Sequence, residues 1–194
     1  MRLSLFATLL VVVLLAPAAV AQTNSEGLYL HLGVGGQSIA YDGDDFDDTD
    51  EGGVLALRAG YGVSPLVTLY VGATGARLEG AREVDDYDLS GGEVGARFTF
   101  RDGRRVRPVL DLALRSVTAR DDETDFEVRG GGLSIGGGLL VYLNPTLALG
   151  ADIHVGAGRF DEVEFGRVTV DVRDEELDYV EARVTVGLTA YPFR

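Results

Sequence analysis

The sequence contains no cysteine, no tryptophan and no lysine among its 194 residues. Without cysteine neither a disulfide framework nor a thiolate metal site can form, so backbone hydrogen bonds and packing must hold the fold together. Positive charge comes only from 17 arginines, against 31 aspartates and glutamates. This acidic balance does not fit a nucleic-acid-binding protein, because neutralising phosphates requires a basic surface.

The chain has only one long apolar run, LFATLLVVVLL at residues 5–15. A positively charged residue precedes it and the small-residue motif AVA at 19–21 follows it, which is the pattern of a secretory signal peptide. The run is too short for a membrane-spanning helix, which needs ~20 apolar residues. We therefore expect a cleaved signal peptide at 1–21 and one exported domain at 22–194.

The exported part is dominated by a two-residue alternation of apolar and polar side chains, which is typical of β-strands. No stretch shows a helical period. Eight runs carry the alternation, at residues 28–40, 53–63, 66–78, 92–101, 105–119, 130–143, 146–159 and 177–191.

The connections between these runs alternate in length. Short turns occur at 64–65, 101–104 and 144–145, whereas the other connections are long and polar, at residues 41–53, 79–91, 120–129 and 159–178. Short turns at one end and long loops at the other are typical of an outer-membrane barrel. We predict an all-β fold, an eight-stranded antiparallel up-and-down transmembrane β-barrel. The alternative is a soluble exported barrel with its leucines inside.

One face of each run is apolar, and the opposite face carries glycine and charge. The charged members are Arg58, Glu93, Arg97, Asp111, Arg115, Asp152, Glu181 and Arg183. Four arginines balance four acids, as a closed lumen requires because unpaired buried charge is costly. The interior of an eight-stranded barrel is just wide enough for side chains. We predict an ion-pair network that fills the lumen.

Asp152 and His154 lie on the inner face of the run LALGADIHV at 147–155, and three interpretations are open. They join the lumen network; they form a catalytic pair; or His154 and the second histidine, His31, bind a metal. Outer-membrane proteases have a similar Asp-x-His arrangement, but on ten strands, and a lipid A deacylase would need His-x-Ser where Val155-Gly156 stands. A metal needs three or four converging ligands, which the spacing does not show. We predict no catalytic residues, no metal and no cofactor.

The four long connections hold 25 of the 31 acidic residues. One interpretation of these acidic connections is a solvated surface that resists aggregation and binds nothing specific. The functional one is weak Ca²⁺ binding, or cation-bridged association with lipopolysaccharide, by the first long connection. Its oxygen donors would be Asp42, Asp44, Asp45, Asp47, Asp48 and Asp50. The spacing does not match an EF-hand loop, because Asp47 stands where the sixth residue should be glycine.

The mature region resembles the small outer-membrane β-barrel family, of the OmpA transmembrane-domain and opacity-porin type. The resemblance rests on the signal, the eight runs, the hairpins YGVSP (61–65) and VYLNP (141–145), and the last strand EARVTVGLTAYPFR (181–194). It implies a bacterial outer-membrane location, and a last strand read by the assembly machinery. In that family the aromatic is the final residue, whereas here Arg194 follows Phe193.

The leading hypothesis is an integral, monomeric, non-enzymatic barrel with a structural or surface-interaction role. Its partners would be outer-membrane lipid, lipopolysaccharide and the assembly machinery. The alternative function is a narrow porin-like channel for ions or small solutes. The sequence does not indicate what the loops bind.

Overall fold

A computed structural model describes residues 25–41, 49–79, 86–100, 104–121, 126–165, 168–171 and 177–192. The predicted signal peptide lies outside the described residues, and so does most of the first long connection. The aspartates that fall outside are Asp42, Asp44, Asp45, Asp47 and Asp48.

The described residues form nine β-strands. They are β1 (Gly27–Tyr41), β2 (Asp50–Gly62), β3 (Val67–Glu79), β4 (Tyr87–Thr99), β5 (Val106–Asp121), β6 (Phe126–Asn144), β7 (Leu147–Phe165), β8 (Val168–Asp171) and β9 (Asp178–Ala190). Among the described residues no helix is long and apolar enough to cross a membrane.

Eight of the strands close into an antiparallel up-and-down barrel. Each strand from β1 to β7 pairs with the next, and β9 lies between β7 and β1. The cross-strand row that leaves β1 at Leu30 passes through every barrel strand and returns to β1 at Ala40, ten residues further on. A stagger of this size tilts the strands by roughly 40° to the barrel axis. The predicted eight-stranded barrel is confirmed.

The strands are longer than predicted toward the long connections. β2, β4 and β6 begin three to five residues earlier than their runs, at Asp50, Tyr87 and Phe126. β7 continues to Phe165 and pairs with the short β8, inside a segment predicted as one long loop. These strand ends could not be predicted from the sequence, because their acidic residues interrupt the apolar alternation on which the strand prediction depends.

The barrel has a turn end and a loop end. The turn end carries the short hairpins, where Asn144 Oδ1 accepts hydrogen bonds from the backbone N–H groups of Thr146 and Leu147, both at 2.9 Å. Such side-chain-to-backbone bonds favour a tight turn. The loop end carries the long acidic connections.

The outer wall is apolar through the middle of the barrel. Leu57, Leu114 and Ile153 are 49%, 63% and 58% exposed, whereas their neighbours Arg58, Arg115 and Asp152 are buried. Leucine therefore faces outward and charge faces inward, the reverse of a soluble barrel. The soluble-barrel alternative is wrong for this part of the wall.

Candidate functional site: the barrel lumen

The inward-facing charged residues meet in one buried cluster at the centre of the barrel, here called the lumen network. Its members are Arg58, Glu93, Arg97, Asp111, Arg115, Asp152, His154, Glu181 and Arg183, none more than 6% exposed. They come from β2, β4, β5, β7 and β9. Two-residue periodicity places each of them inside, because an odd number of residues separates those that share a strand.

Arg97 lies at the centre of the turn-side half of the network. Its Nε donates to Asp111 Oδ1 at 2.9 Å and its Nη2 to Asp111 Oδ2 at 2.8 Å. The same Nη2 donates to Asp152 Oδ1 at 3.0 Å. The planar guanidinium matches a carboxylate in this two-bond geometry, which lysine cannot provide.

Arg58, Glu93 and Arg183 connect β4 to two further strands, β2 and β9. Arg58 Nε donates to Glu93 Oε1, and Arg183 Nη2 donates to Glu93 Oε2 at 3.1 Å. Glu93 thus uses both of its oxygens, one for an arginine on β2 and the other for an arginine on β9. This arrangement fixes β2 and β9 relative to β4.

Arg115 and Glu181 form the loop-side part of the network. Arg115 Nη1 donates to Glu181 Oε1, and Gln37 Nε2 donates to Glu181 Oε2 at 3.0 Å. Arg115 Nη2 also donates to Thr74 Oγ1 at 3.2 Å. Gln37 and Thr74 were not predicted as site residues, because a single uncharged polar residue gives no distinctive signal in an alternating strand.

Asp111, Asp152 and His154 place potential ligand atoms within 4.8 Å of one another. Arg97 already donates to both carboxylates, and Arg58 Nη2 lies 3.3 Å from His154 Nε2. A metal ion there would meet two guanidinium groups at close range, so the arrangement does not favour a metal. His31 is not a member of this group of potential ligands. Its Nδ1 lies 2.9 Å from Thr189 Oγ1.

Glycines opposite the network provide the space it occupies. Gly136 lies across from His154 in the β6–β7 register, and a Cβ at Gly136 would fall 2.2 Å from His154 Nδ1. Gly72 lies across from Glu93, and its Cβ would fall 2.8 Å from the Glu93 side chain. A larger residue at either position would displace a member of the network.

The lumen toward the loop end is apolar, which the sequence analysis missed. A buried cluster, here called the loop-end plug, consists of Ile39, Val54, Ala76, Leu78, Tyr87, Leu89, Val117, Ala119, Phe160 and Tyr179. Ring centroids of Phe160 and Tyr179 lie 4.9 Å apart. The prediction that the inner face carries only glycine and charge is wrong at this end of the barrel. Tyr87 and Leu89 were not recognised as inner-face residues because they lie in the segment 79–91, which the sequence predicts to be a loop.

Asp50 belongs to the edge of this plug and not to a loop. It is buried on β2, and its Oδ2 accepts a hydrogen bond from the Tyr87 hydroxyl at 2.6 Å. Tyr41 and Tyr87 hydroxyl oxygens lie 2.7 Å apart. The prediction that Asp50 is a ligand in the first long connection is therefore wrong, because Asp50 begins β2 and its carboxylate already accepts a hydrogen bond.

The turn end of the lumen is filled by aromatic residues and one arginine. The guanidinium of Arg107 lies 4.5 Å from the ring centroid of Tyr142, and its Nη1 donates to Ser25 Oγ at 3.2 Å. Tyr29 packs between Tyr70 and Tyr191 at centroid distances of 6.3 and 5.6 Å. The lumen thus has three successive layers: aromatic, charged and apolar.

Comparison with protein families explains this architecture. The model of the outer membrane protein beta-barrel domain matches residues 6–189. The chain belongs to this family. Comparison with curated protein sequences gives no significant match. The outer membrane protein beta-barrel domain places the chain in the bacterial outer membrane, as predicted from the strand pattern.

Solved outer-membrane barrels have the same fold as this family member. Neisserial surface protein A is 16% identical, with a TM-score of 0.63, over 85% of this chain and 97% of that chain. OprG from Pseudomonas aeruginosa is 12% identical, with a TM-score of 0.56, over 87% and 97%. AlkL, determined in lipid bilayers, is 14% identical, with a TM-score of 0.53, over 90% and 93%. Identities this low establish the fold alone.

The position of Asp152 and His154 bears on the catalytic interpretation of this pair. Asp152 and His154 are 1% and 3% exposed and lie among arginines. Chemistry on an external substrate would require that substrate to reach the middle of a filled barrel. This geometry favours a stabilising role for the pair.

Proposed function

We propose that the protein is a closed, non-conducting outer-membrane barrel with a structural or surface-interaction role. The observation that supports this proposal is the succession of three packed layers along the lumen. A solute path would have to pass the loop-end plug, the lumen network and the aromatic turn end. Opening any one layer leaves two others in place.

The size of the buried side chains supports closure. Among the largest fully buried residues are Arg97, Arg107 and Arg183, together with Tyr29, Tyr179 and Tyr191. Long side chains from both halves of the lumen thus fill its cross-section, as the narrow interior of an eight-stranded barrel allows. Paired charges inside a low-dielectric lumen resist separation, because each unpaired partner would be costly to bury.

Planar-bilayer recording tests closure against the channel alternative. We expect the folded protein to give no steady single-channel openings in salt solution at neutral pH. The matched variant is Phe160→Gly/Arg115→Gly/Tyr29→Gly, which removes one large side chain from each of the three layers and should allow brief openings. Steady openings of the unmodified protein that change in size in this variant would place the current in the lumen and overturn the proposal.

A non-enzymatic role is part of the same proposal. His154→Ala should leave every lipid-hydrolysis and peptide-cleavage rate of reconstituted protein at the background of empty vesicles. The unmodified protein should give the same background. A rate above background that is lost in His154→Ala would support the catalytic interpretation of Asp152 and His154 instead.

The proposal extends to orientation, assembly and partners. Short turns and both described chain ends lie together, so we infer that the turn end faces the periplasm and that the acidic loops face outward.

The assembly machinery would read the outward residues Val186, Leu188 and Ala190 of β9. We propose a monomer, to be checked by the mass of the detergent-solubilised particle; a mass that doubles after correction for bound detergent would contradict it.

A further inference from the structure

The outer wall changes from apolar to polar near the loop end. On β3, β5 and β7, an outward-pointing arginine stands next to a residue of the loop-end plug. Arg77 precedes Leu78, Arg120 follows Ala119, and Arg159 precedes Phe160. The barrel there is polar outside and apolar inside, so this part of the wall lies beyond the hydrocarbon of the membrane.

Four outward arginines form a row along this boundary, here called the arginine collar. They are Arg77 on β3, Arg120 on β5, Arg129 on β6 and Arg159 on β7. The side chains of Arg77, Arg129 and Arg159 are 71%, 54% and 44% exposed. A guanidinium just beyond an apolar wall lies where the headgroups of the surrounding lipids begin.

Acidic residues alternate with the collar from strand to strand. Asp88 lies between Arg77 and Arg120 in the cross-strand register, and Arg120 lies opposite Glu127. Arg159 Nε donates to Asp178 Oδ1 at 2.8 Å. Exposed pairs of this kind are only weakly stabilising, so a stronger anion can compete for the arginines.

The collar occupies one side of the barrel only. On the described parts of β1, β2 and β9 every outward-facing position is occupied by a residue other than arginine, since Arg58 and Arg183 point inward. Outward positions there include Ser38, Gly53 and Ala182. Binding by the collar would therefore order lipid on the β3–β7 side.

We propose that the arginine collar binds the phosphate groups of lipopolysaccharide in the outer leaflet, with divalent cations between those phosphates and the neighbouring carboxylates. This inference rests on the proposed outward orientation of the loop end. Arginine matches phosphate with parallel hydrogen bonds. Carboxylate and phosphate oxygens are the ligands that Ca²⁺ and Mg²⁺ prefer, and such ions remove the repulsion between the acidic loop end and an anionic lipid. Outward Gly75 leaves room beside Arg77, because a Cβ there would meet no atom within 4 Å.

Calorimetry on the folded protein in zwitterionic detergent tests the proposal. The probes are bisphosphorylated lipid A, the same lipid A after removal of its phosphates, and phosphatidylglycerol, each with Mg²⁺ and with a chelator. The test variant is Arg120→Gln/Arg129→Gln/Arg159→Gln. The matched control is Arg104→Gln/Arg105→Gln at the turn end. Heat-dependent gel mobility verifies that every variant is folded.

We expect the unmodified protein and the turn-end control to bind bisphosphorylated lipid A with Mg²⁺ equally well. The collar variant should bind it at least about tenfold more weakly, since each arginine near an anionic surface strengthens binding about fivefold. Removing the phosphates or adding the chelator should weaken binding to the unmodified protein.

Equal binding by the collar variant, or equal affinity for dephosphorylated lipid A, would overturn the proposal. Equal affinity for phosphatidylglycerol would show a general anionic-lipid surface and overturn the assignment to lipopolysaccharide. These outcomes are independent of bilayer conductance, so a failure of lumen closure is distinguishable from a failure of the collar.

Discussion

Arg97 and Asp111 face each other on adjacent strands and are joined by two parallel hydrogen bonds, of 2.9 and 2.8 Å. Arg97 is completely buried and Asp111 is 1% exposed. The pair is therefore cut off from water, and its members depend on each other and on Asp152. Breaking the pair leaves a charge that no solvent can compensate.

Arg97→Leu should lower the free energy of unfolding by about 3–5 kcal/mol, because it leaves Asp111 and Asp152 buried without their shared donor. The double variant Arg97→Leu/Asp111→Leu should recover part of this loss, since it removes one of the two stranded carboxylates. Urea unfolding in lipid vesicles measures both. Leu112→Ile, which changes the neighbouring outward side chain at constant volume, is the control. A neutral Arg97→Leu would show that the pair does not stabilise the barrel.

Gly136→Ala should lower the free energy of unfolding by about 1–3 kcal/mol, through overpacking against the imidazole of His154. Gly136→Ala/His154→Ala should relieve the clash. Gly53→Ala is the matched control, because a Cβ there would meet no atom within 4 Å. Urea midpoints of the four proteins decide the matter, and equal losses at Gly136 and Gly53 would contradict the proposed role of glycine as space for the network.

Phe160 and Arg159 are sequence neighbours with opposite environments. Phe160→Ala should lower the free energy of unfolding by about 3–5 kcal/mol, because the ring packs between Tyr41 and Tyr179. Arg159→Ala should cost less than about 1 kcal/mol, since it removes only an exposed ion pair. The same unfolding experiment compares them. A larger effect at Arg159 would mean that the apolar interior does not stabilise the loop end.

Ca²⁺ binding by the first long connection remains a prediction. Calorimetry with millimolar Ca²⁺ should give heat that disappears when Asp42, Asp44, Asp45, Asp47 and Asp48 are all changed to asparagine. Asp50→Asn is a separate variant, because the Tyr87 hydroxyl already donates to Asp50, and it should leave the heat unchanged. Heat that persists in the five-residue variant would remove this connection from cation binding.

Signal-peptide cleavage after Ala21 predicts a mature chain that begins at Gln22. The intact mass of protein extracted from outer membranes measures this directly. Ala21→Pro should block processing and retain the precursor mass, because the position before the cut must hold a small residue. A mature chain with Met1 still present would contradict the prediction.

The fold could be predicted because its two determinants are local. Alternation places Ile153 outside and Asp152 inside, and the contrast between the Asn144-Pro145 turn and the long acidic segments indicates the up-and-down order. Both the alternation and the connection lengths can be recognised in the sequence without knowing which strands contact each other across the lumen. The outer-membrane location followed from the same pattern and is confirmed by the family.

Individual partners in the lumen could not be predicted. Arg115 and Glu181 are 66 residues apart in the chain, and their hydrogen bond depends on barrel stagger, which no single strand encodes. The loop-end plug was missed for a different reason. Leu89 follows Asp88 in a segment whose charge predicted a loop. At the loop end, however, the strands continue with apolar residues facing inward and charged residues facing outward, the reverse of the membrane-facing part of the wall.

Pairing of β1 with β9 joins the first and last strands of the chain. Carboxylates such as Glu181, carried by β9, therefore cannot meet their arginines until the C-terminal strand has been delivered. A chain truncated before β9 would leave Arg115 without its carboxylate partner and would leave β1 and β7 as unpaired edges. Delivery of the C-terminal strand thus closes the cylinder and completes its internal charge pairing in one step.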